Sequence, residues 1–245
     1  PEPPEPPTTD SAVETLLATV NGGSNFYFNV IVTAVLVVGI HALLPFGTLS
    51  GVLLNDAMSF ELGLSPEQIV VGDSLVFAFW IPGALVGGPL SDRFGRKAAL
   101  VGFGLANALA IASTSLVPFS GELQLLTSRA LTGFTMGAFI APAFNLLVES
   151  SDPAKRGAAG TRWVGGYVGG CAVLSALHLA TISFFPVDAS ALSGVAADIP
   201  SAGVWRGEEL LLAAWVLLFT GLSQSLLVES PRYLFASGRT LDALD

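Results

Sequence analysis

Four charged side chains lie within six residues of the run Gly88 to Lys97, which reads Gly-Pro-Leu-Ser-Asp-Arg-Phe-Gly-Arg-Lys. The run separates two apolar stretches that are each long enough to cross a bilayer. Because charges are costly in hydrocarbon, these side chains must occupy a tight turn at the water boundary. Gly88 and Gly95 allow the adjoining helices to come close together there. The pattern therefore predicts an interfacial turn that does more than connect two helices.

The composition argues against a water-soluble globule. Hydrophobic residues make up 52% of the chain and charged residues only 12%, with a mean hydropathy of +0.68. Such a chain has too little polar surface to cover itself in water, which indicates a lipid bilayer as its partner. The formal net charge of −9 comes from scattered acids, so we predict no nucleic-acid partner. We also predict no cofactor, no metal site and no catalytic residue.

Six apolar segments reach the roughly 20 residues that a spanning helix needs. These predicted spans cover about 28–54, 68–90, 97–119, 124–148, 160–185 and 207–228. The fold class is therefore predicted to be an all-α polytopic membrane protein with six transmembrane helices. Residues 1–27 are rich in proline and glutamate and are expected to be a disordered leader. Residues 28–234 would form the bundle, and 235–245 would begin a cytoplasmic loop or tail.

Basic residues predict the orientation of the bundle, because short loops rich in lysine and arginine stay on the cytoplasmic side. The loops after the second, fourth and sixth spans contain Arg93, Arg96, Lys97, Lys155, Arg156, Arg162, Arg232 and Arg239. The opposite loops contain Arg206 as their one basic residue. We therefore expect these basic loops, and by parity the N-terminus, to be cytoplasmic. The pattern leaves open whether the membrane is the plasma membrane or that of an organelle.

The charged turn can be compared with a known signature. The run Gly88-x-Leu90-Ser91-Asp92-Arg93-x-Gly95-Arg96-Lys97 resembles the element between the second and third spans of the major facilitator superfamily. Three further elements resemble that family's sugar-transporter-like branch. They are Arg129-x-x-x-Gly133-x-x-x-Gly137 in the fourth span, Glu149 followed after six residues by Arg156-Gly157, and Glu229-Ser230-Pro231-Arg232-Tyr233-Leu234 after the sixth. Pro153 is offset by one position, and Val228 replaces a customary proline.

The resemblance covers about residues 28–240 and implies the N-terminal half of a twelve-helix carrier, built from two inverted three-helix repeats. It implies transport of a small organic solute, a sugar or an organic ion, by alternating access. The chain would then be a fragment, or a half-carrier, whose partner is the missing C-terminal six-helix half, supplied by the full-length chain or by a second copy. The resemblance leaves open whether transport is coupled to an ion, and to which one. The stretch Phe46 to Leu49 lacks the first-span acid of proton-coupled sugar porters, which speaks against proton symport.

The resemblance also implies site residues. A cytoplasmic charge network that gates the carrier would contain Gly88, Asp92, Arg93, Gly95, Arg96, Lys97, Glu149, Arg156, Glu229 and Arg232, with Glu229 and Arg232 engaging the other half. Helix packing would involve Gly133, Gly137, Gly166 and Gly170. Glycines such as Gly83, Gly87 and Gly88 would supply a surface that slides against the other half, with static close packing of helices as the alternative. Candidate substrate-binding residues are His41, Asn145 and Tyr167.

Ionisable groups inside the predicted spans are functional candidates by default. His41 lies near the middle of the first span, where it would either act on a proton or be a neutral, hydrogen-bonded side chain. Asp73 lies nearer the outer face, where we expect a solvated structural role. Ordinary hydrogen bonding between helices is the alternative for Asn145 and Tyr167.

Two other functions compete with transport. Ser50 beside Gly51, together with two histidines, could be imagined as an intramembrane serine hydrolase. The Gly-x-Ser-Gly spacing of rhomboid proteases is missing, and this alternative leaves the charged turn unexplained. A non-transporting or regulatory half-carrier is the stronger alternative, since central binding sites form where two six-span halves meet.

Overall fold

The computed structural model describes residues 58–151, 156–184 and 204–239. Within these ranges the chain is helical and contains no strand. The helices are α1 (Pro66–Phe94), α2 (Arg96–Thr114), α3 (Glu122–Glu149), α4 (Arg156–Phe184), α5 (Val204–Leu226) and the short α6 (Pro231–Ala236). Helices α1 to α5 correspond to the second to sixth predicted spans. The first predicted span, 28–54, lies outside the described residues, as does the leader 1–27.

Within the described ranges, four helices are long and apolar enough to cross a membrane: α1, α2, α3 and residues Trp205–Leu226 of α5. Their outward sides carry apolar residues that are well exposed, such as Ile81, Leu85 and Leu109. Exposed apolar surface of this extent suits contact with lipid rather than with water. The all-α membrane fold predicted from the sequence is confirmed for the described part of the chain, whereas the count of six spans stays a prediction.

Helix α2 ends at Thr114, earlier than the predicted end at residue 119. Ser115, Leu116 and Val117 form tight turns back to the carbonyls of residues 112–114. Pro118 follows, and a proline has no N–H to continue a helical ladder. The prediction extended the span because residues 115–119 are largely apolar, but hydropathy does not report the turn.

The segment between the first two predicted spans also differs from the prediction. We expected a loop over about 55–67, but residues 58–62 are helical. Gly63 ends this helical stretch with a φ of 64°, a conformation that favours glycine. The amide of Leu64 donates to the carbonyl of Ser59 at 3.2 Å, as in a Schellman helix end. Helix α1 begins three residues after Gly63 with a capping box between Ser65 and Gln68, and with Pro66 in its first turn.

Helix α3 lies at the centre of the described bundle and packs against both α1 and α2. Against α1 the contact is backbone to backbone: an added Cβ at Gly83 would overlap the carbonyl oxygen of Phe134, and one at Gly133 would overlap that of Val76. In the same way, a Cβ at Gly87 would overlap the backbone of Ala138 on α3, and one at Gly137 would overlap the backbone of Trp80 on α1. Such close approach is what small residues at helix interfaces allow.

Polar contacts and small residues hold α2 in place. The buried Asn107 amide donates to Thr132 O at 3.2 Å and to Thr135 Oγ1 at 3.0 Å, both on α3. A Cβ at Gly104 would crowd Thr220 of α5. Helix α2 therefore lies between α3 and α5, and its two ends reach the two polar clusters described next.

Candidate functional site

One end of the bundle carries a compact group of charges, which we call the Arg96 cluster. It brings together the end of α1, the start of α2, the end of α3 and the segment that enters α6. Its members are Asp92, Arg96, Glu149, Glu229, Ser230 and Tyr233. Residues that are far apart in the sequence thus come together at one end of the bundle.

Arg96 is the centre of the cluster. Its Nε donates to Glu149 Oε2 at 3.2 Å and its Nη2 donates to Glu149 Oε1 at 3.3 Å, a two-point contact that fits the planar guanidinium. Nη2 also lies 3.1 Å from Asp92 Oδ1, one turn earlier in the chain. The guanidinium carbon lies 5.5 Å from the centre of the Tyr233 ring. Arg96, at the start of α2, thereby contacts the end of α1, the end of α3 and the Tyr233 ring of α6.

Glu229 caps the N-terminus of α2. One carboxylate oxygen accepts hydrogen bonds from the backbone N–H groups of Arg96 at 2.9 Å and Lys97 at 3.1 Å. The first N–H groups of a helix have no partner within the helix, and the helix dipole favours an anion there. The resemblance implied that Glu229 would engage the other half, but the contacts it makes in the described residues are within this half.

Gly95 makes this approach possible. Its φ is 103°, which a residue with a side chain rarely adopts. A Cβ at Gly95 would also overlap Glu229 Oε2 and crowd the Tyr233 ring. Both the backbone conformation and the space at this position therefore require glycine.

Ser230 and Tyr233 attach α6 to the same cluster. The Ser230 hydroxyl donates to Glu149 Oε2 and accepts from the Tyr233 N–H at 3.3 Å, which makes Ser230 the N-cap of α6. The Tyr233 hydroxyl donates to the carbonyl of Arg93 at 3.3 Å. Both residues lie in the motif Glu229 to Leu234, but the sequence pattern alone did not predict them as site residues.

The remaining predicted network residues lie around this cluster. The side chain of Arg93 is exposed and lies beside the Phe94 ring, and that of Lys97 is half-buried. Arg156 begins α4 and Arg232 lies in α6, and both are half-buried and have partners. Gly88 has open space where a Cβ would be.

The predicted packing glycines fall into two groups. Gly133 and Gly137 contact the backbone of α1, together with Gly83 and Gly87 on the α1 side. Gly83 and Gly87, which were expected to form a sliding surface toward the other half, are therefore occupied by α3 within this half. Gly166 and Gly170 lie in α4.

The three candidate substrate residues are only partly described. Asn145 is half-buried in α3, four residues before Glu149. The backbone of Tyr167 lies in α4, while its side chain lies outside the described residues, as does all of His41. Ser50, the candidate nucleophile of the hydrolase alternative, also lies outside them.

A buried ion triad inside the bundle was missed in the sequence. Arg129 of α3 lies with its Nε 3.5 Å from Asp73 Oδ1 on α1 and its Nη2 3.2 Å from Glu209 Oε1 on α5. Arg129 and Glu209 are each 1% exposed, and Asp73 is 8% exposed. The predicted solvated role of Asp73 is therefore wrong, because its neighbours are on other helices that hydropathy does not pair. We call these three residues the Arg129 triad.

A second cluster, the Arg206 cluster, closes the end opposite to Arg96. Arg206 Nε donates to Glu61 Oε1 at 2.7 Å, and the two Nη atoms donate to the carbonyls of Ser115 and Val117. The indole N–H of the fully buried Trp205 donates to the other oxygen of Glu61. This cluster ties the 58–62 stretch to the end of α2 and the start of α5. The sequence marked Arg206 only as an isolated basic residue.

The fold and its charged turn can now be compared with known proteins. The family model of the Major Facilitator Superfamily matches residues 35–236. The chain belongs to this superfamily. The match includes α1 to α5 and every member of the Arg96 cluster, so the resemblance drawn from the motifs is confirmed.

Individual relatives within the superfamily are moderately similar. The chain is 31% identical over 172 residues to organic cation/carnitine transporter 4 of Arabidopsis thaliana, which covers 70% of this chain and 28% of that protein. It is 38% identical over 100 residues to the 4-hydroxybenzoate transporter PcaK of Pseudomonas putida, covering 38% of this chain and 20% of that protein. The chain therefore spans less than a third of the length of these relatives.

A solved structure shows the same fold. The proton:xylose symporter XylE bound to 6-bromo-6-deoxy-D-glucose aligns with a TM-score of 0.72 at 16% identity, over 89% of this chain and 48% of that one. This superfamily member thus has the helical fold of about half of a sugar symporter. The two curated relatives and XylE are transporters by name.

Proposed function

We propose that the intact protein moves a small organic solute across a membrane by alternating access, and that residues 28–234 supply its N-terminal six-helix half. Membership of the superfamily supports transport, and alignment to 48% of XylE supports a half. In carriers built from such repeats, the substrate site forms between the halves near the middle of the membrane. The missing C-terminal half is therefore a required partner in this proposal.

The Arg96 cluster is the observation that carries the proposal. The pair of Arg96 with the exposed Asp92 is of a kind that contributes only about 0 to 1 kcal/mol to stability. Together with the partly buried pair of Arg96 and Glu149, it can instead favour one orientation of the carrier. We propose that the cluster, with Arg93, Arg156 and Arg232 around it, closes the cytoplasmic end and favours the outward-open state.

The sidedness of this proposal rests on charge. Arg93, Arg96, Lys97, Arg156, Arg232 and Arg239 lie in the described segments at the Arg96 end, whereas Arg206 lies at the other end. Basic residues in short loops favour the cytoplasmic side. The Arg96 end is then cytoplasmic, and so is the N-terminus, because the first predicted span must start there.

The proposed substrate class is a sugar or an organic ion. The relatives are named for organic cations, carnitine and 4-hydroxybenzoate, and XylE for xylose. We place the substrate against α3 and α4 and the first predicted span, with Asn145, Tyr167 and His41 as candidate contacts. Uptake of radiolabelled carnitine, 4-hydroxybenzoate and xylose into vesicles containing the intact protein separates organic ions from sugars. Vesicles that take up no organic ion and no sugar would contradict the proposed class.

Charge reversal at Glu149 tests the gating role. In the intact protein with Cys171 and any cysteine outside residues 1–245 replaced by serine, a single cysteine at Gly88 reports whether the cytoplasmic end is open. Glu149→Lys places a second cation beside Arg96, and losing about 1.4 kcal/mol of bias changes the ratio of states about tenfold. We therefore expect faster labelling of the cysteine by a maleimide from the cytoplasmic side.

The matched control is Glu67→Lys, which makes the same charge change at an exposed residue of the opposite end of α1. Labelling should stay at the parental rate in that variant. An unchanged labelling rate in correctly folded Glu149→Lys protein would count against the gating role but leave transport itself untouched.

A regulatory or non-transporting half-carrier is the second candidate. The alignment with XylE favours this candidate, since the chain aligns to 48% of that carrier. On this alternative the intact protein would bind a second copy or another half without moving solute. Proteoliposome uptake by the intact protein separates the two candidates.

A further inference from the structure

An open groove lies between α1 and α3, in the half of these helices nearer the Arg206 cluster. Its volume is about 570 Å³, which is in the range of small-molecule sites. Leu126 lies four residues after the start of α3 and Leu75 lies nine residues after the start of α1, so the groove begins about 6 to 14 Å from the helix starts. We call it the α1–α3 groove. Its walls contain Leu75, Phe79, Leu126, Ala130, Leu131 and Phe134.

The walls of the groove are apolar. Thr127 is the one polar side chain among the described residues that line it, and its hydroxyl already donates to the carbonyl of Leu123 at 2.7 Å. A sugar has several hydroxyl groups, and each one that loses water here without gaining a partner is costly. Phe79 and Phe134 instead offer ring surface, which suits an alkyl or aromatic body and attracts a cation. The lining therefore favours an apolar solute body over a sugar.

A carboxylate lies at the rim of the groove. Glu122 is one turn before Leu126 on α3, and Gln68 is two turns before Leu75 on α1, which puts both on the groove side of their helices. Gln68 Nε2 donates to Glu122 Oε2 at 2.7 Å and so joins the two helices at this rim. Glu122 is half-buried and forms no ion pair within the described part of the chain. Its carboxylate can therefore pair with a positive group of a ligand.

The charge at this end of the chain also favours a cation. The predicted loops 55–67, 120–123 and 186–206 contain six acids and one base, Arg206. Arg206 is itself paired with Glu61. Arg129 is buried inside the bundle, and the other basic residues belong to the opposite predicted loops. The resulting negative potential attracts organic cations and repels carboxylate anions.

We infer that the α1–α3 groove binds an organic cation, with the apolar body of the solute against Phe79 and Phe134 and its positive group near Glu122. This inference rests on the proposed transport function and narrows its substrate class from a sugar or an organic ion to an organic cation. Thr127, Phe134 and the candidate substrate residue Asn145 follow one another at about two and three helical turns, so they lie on one face of α3. A solute in the groove is thus on the same face of α3 as the proposed substrate contact.

Binding of three ring compounds that differ in charge tests the inferred ligand class. The intact, purified protein in neutral maltoside micelles is titrated with phenyltrimethylammonium, benzyl alcohol, benzoate and xylose, and the heat of binding is measured. We expect phenyltrimethylammonium to bind most tightly, and benzoate and xylose to show no binding over the same concentration range. Binding of benzoate or xylose as tight as that of phenyltrimethylammonium would overturn the assignment of an organic cation.

Two variants locate the bound cation. Glu122→Gln removes the charge and keeps the shape, so it should weaken binding of phenyltrimethylammonium about tenfold, which corresponds to about 1.4 kcal/mol. Its matched control is Glu67→Gln, which removes the same charge from an exposed residue near the start of α1 and should bind nearly as the wild type does. Ala130→Phe fills the groove and should abolish binding. Its control is Ala214→Phe, at an exposed position of α5, which should keep binding.

Wild-type affinity in a folded Glu122→Gln or Ala130→Phe variant would overturn the site, because the cation would then bind elsewhere and lipid or the other half would cover the groove. Uptake of the same four compounds into proteoliposomes separates this inference from the proposed function. Uptake of xylose without binding of phenyltrimethylammonium would overturn the groove as a cation site and leave transport intact. Cation binding without uptake of any solute would contradict transport, and with it the role of the cation as substrate, but not the binding site.

Discussion

The carboxylate of Glu229 shows how one residue can connect two distant segments. It lies at the start of a short helical turn, yet it accepts hydrogen bonds from the N-terminus of α2, more than 130 positions earlier in the sequence. A helix N-terminus is a favourable place for an anion, and capping groups of this kind contribute about 1 kcal/mol. The contact depends on Gly95, whose positive φ allows the carboxylate to come close.

We therefore expect Glu229→Ala to lower the free energy of unfolding of the intact protein by about 0.5 to 2 kcal/mol. Glu229→Gln keeps an acceptor oxygen but loses the charge, so its effect should be smaller. Thermal unfolding in detergent measures both. Ser225→Ala, at an exposed position of α5, should match the wild type. Equal stability of Glu229→Ala and wild type would mean that the cap contributes nothing.

Residues differ in how far the sequence could predict them. The motif that contains Asp92 and Arg96, and the separate one that begins at Glu149, identified the charged end because their residue types and order were recognisable. The Arg129 triad was missed because its acids are on helices whose relative rotation no local pattern reports. Asp73 was expected to be solvated because its position in the sequence places it near the outer end of its span. The sequence does not show which side chains of other helices surround it.

At the scale of helices, the contact between α1 and α3 determines how tightly the described bundle packs. Gly83 and Gly87 of α1 alternate with Gly133 and Gly137 of α3, so that the two backbones touch. The sequence predicted packing at the α3 glycines from their four-residue spacing. It could not show that Gly83 and Gly87 face α3 and not the other half, because spacing gives one face of a helix but not its partner.

Gly83→Ala tests this packing. The added methyl group overlaps the backbone of Phe134, which cannot move away as a flexible side chain would, and overpacking of this kind costs about 1 to 3 kcal/mol. We expect a lower unfolding temperature of the purified intact protein. Gly102→Ala is the control, because a Cβ at that exposed position of α2 meets nothing within 4 Å. If both variants unfold at the same temperature, the backbone contact is looser than described.

Arg206, at the start of α5, joins the 58–62 stretch to the end of α2. It donates to Glu61 and to the carbonyls of Ser115 and Val117. The early end of α2 explains why these carbonyls are free to accept: they belong to the turn after Thr114 and not to a continuing helix. In a helix that reached residue 119, the carbonyl of Ser115 would already accept from the N–H of residue 119, whereas that of Val117 would be among the last four carbonyls, which have no partner within the helix.

Replacing Arg206 by methionine should destabilise the intact protein, since hydrogen bonds to charged groups contribute about 1.5 to 3 kcal/mol each at most sites. A double-mutant cycle with Glu61→Gln supplies the control. If the two residues act through each other, the double variant should be less destabilised than the sum of the single variants. Strict additivity would show that Arg206 acts through the α2 carbonyls alone.

At the scale of the whole molecule, the two polar clusters at opposite ends differ in kind. The Arg206 cluster ties elements of one half to each other through a buried tryptophan and backbone carbonyls. The Arg96 cluster is richer in side-chain ion pairs and lies beside Gly88, which has open space where a Cβ would be. We expect variants of Arg206 to change stability without changing the ratio of outward-open to inward-open states, and variants of Glu149 to change that ratio.

If the chain is one half of a carrier, as proposed, it should not transport alone. Apolar side chains are exposed along α1 and α5, and an added Cβ at Gly88 would meet no atom within 4 Å in the described part of the chain. If the substrate site lies between two halves, residues 1–245 supply only one wall of it. Proteoliposomes containing residues 1–245 alone should therefore show no more uptake than empty liposomes, while the intact protein takes up a radiolabelled organic ion or sugar. Co-reconstitution with the separately expressed remainder of the protein should restore uptake. Uptake by the half alone, at the rate of the intact protein, would mean that two copies of this chain form the complete site.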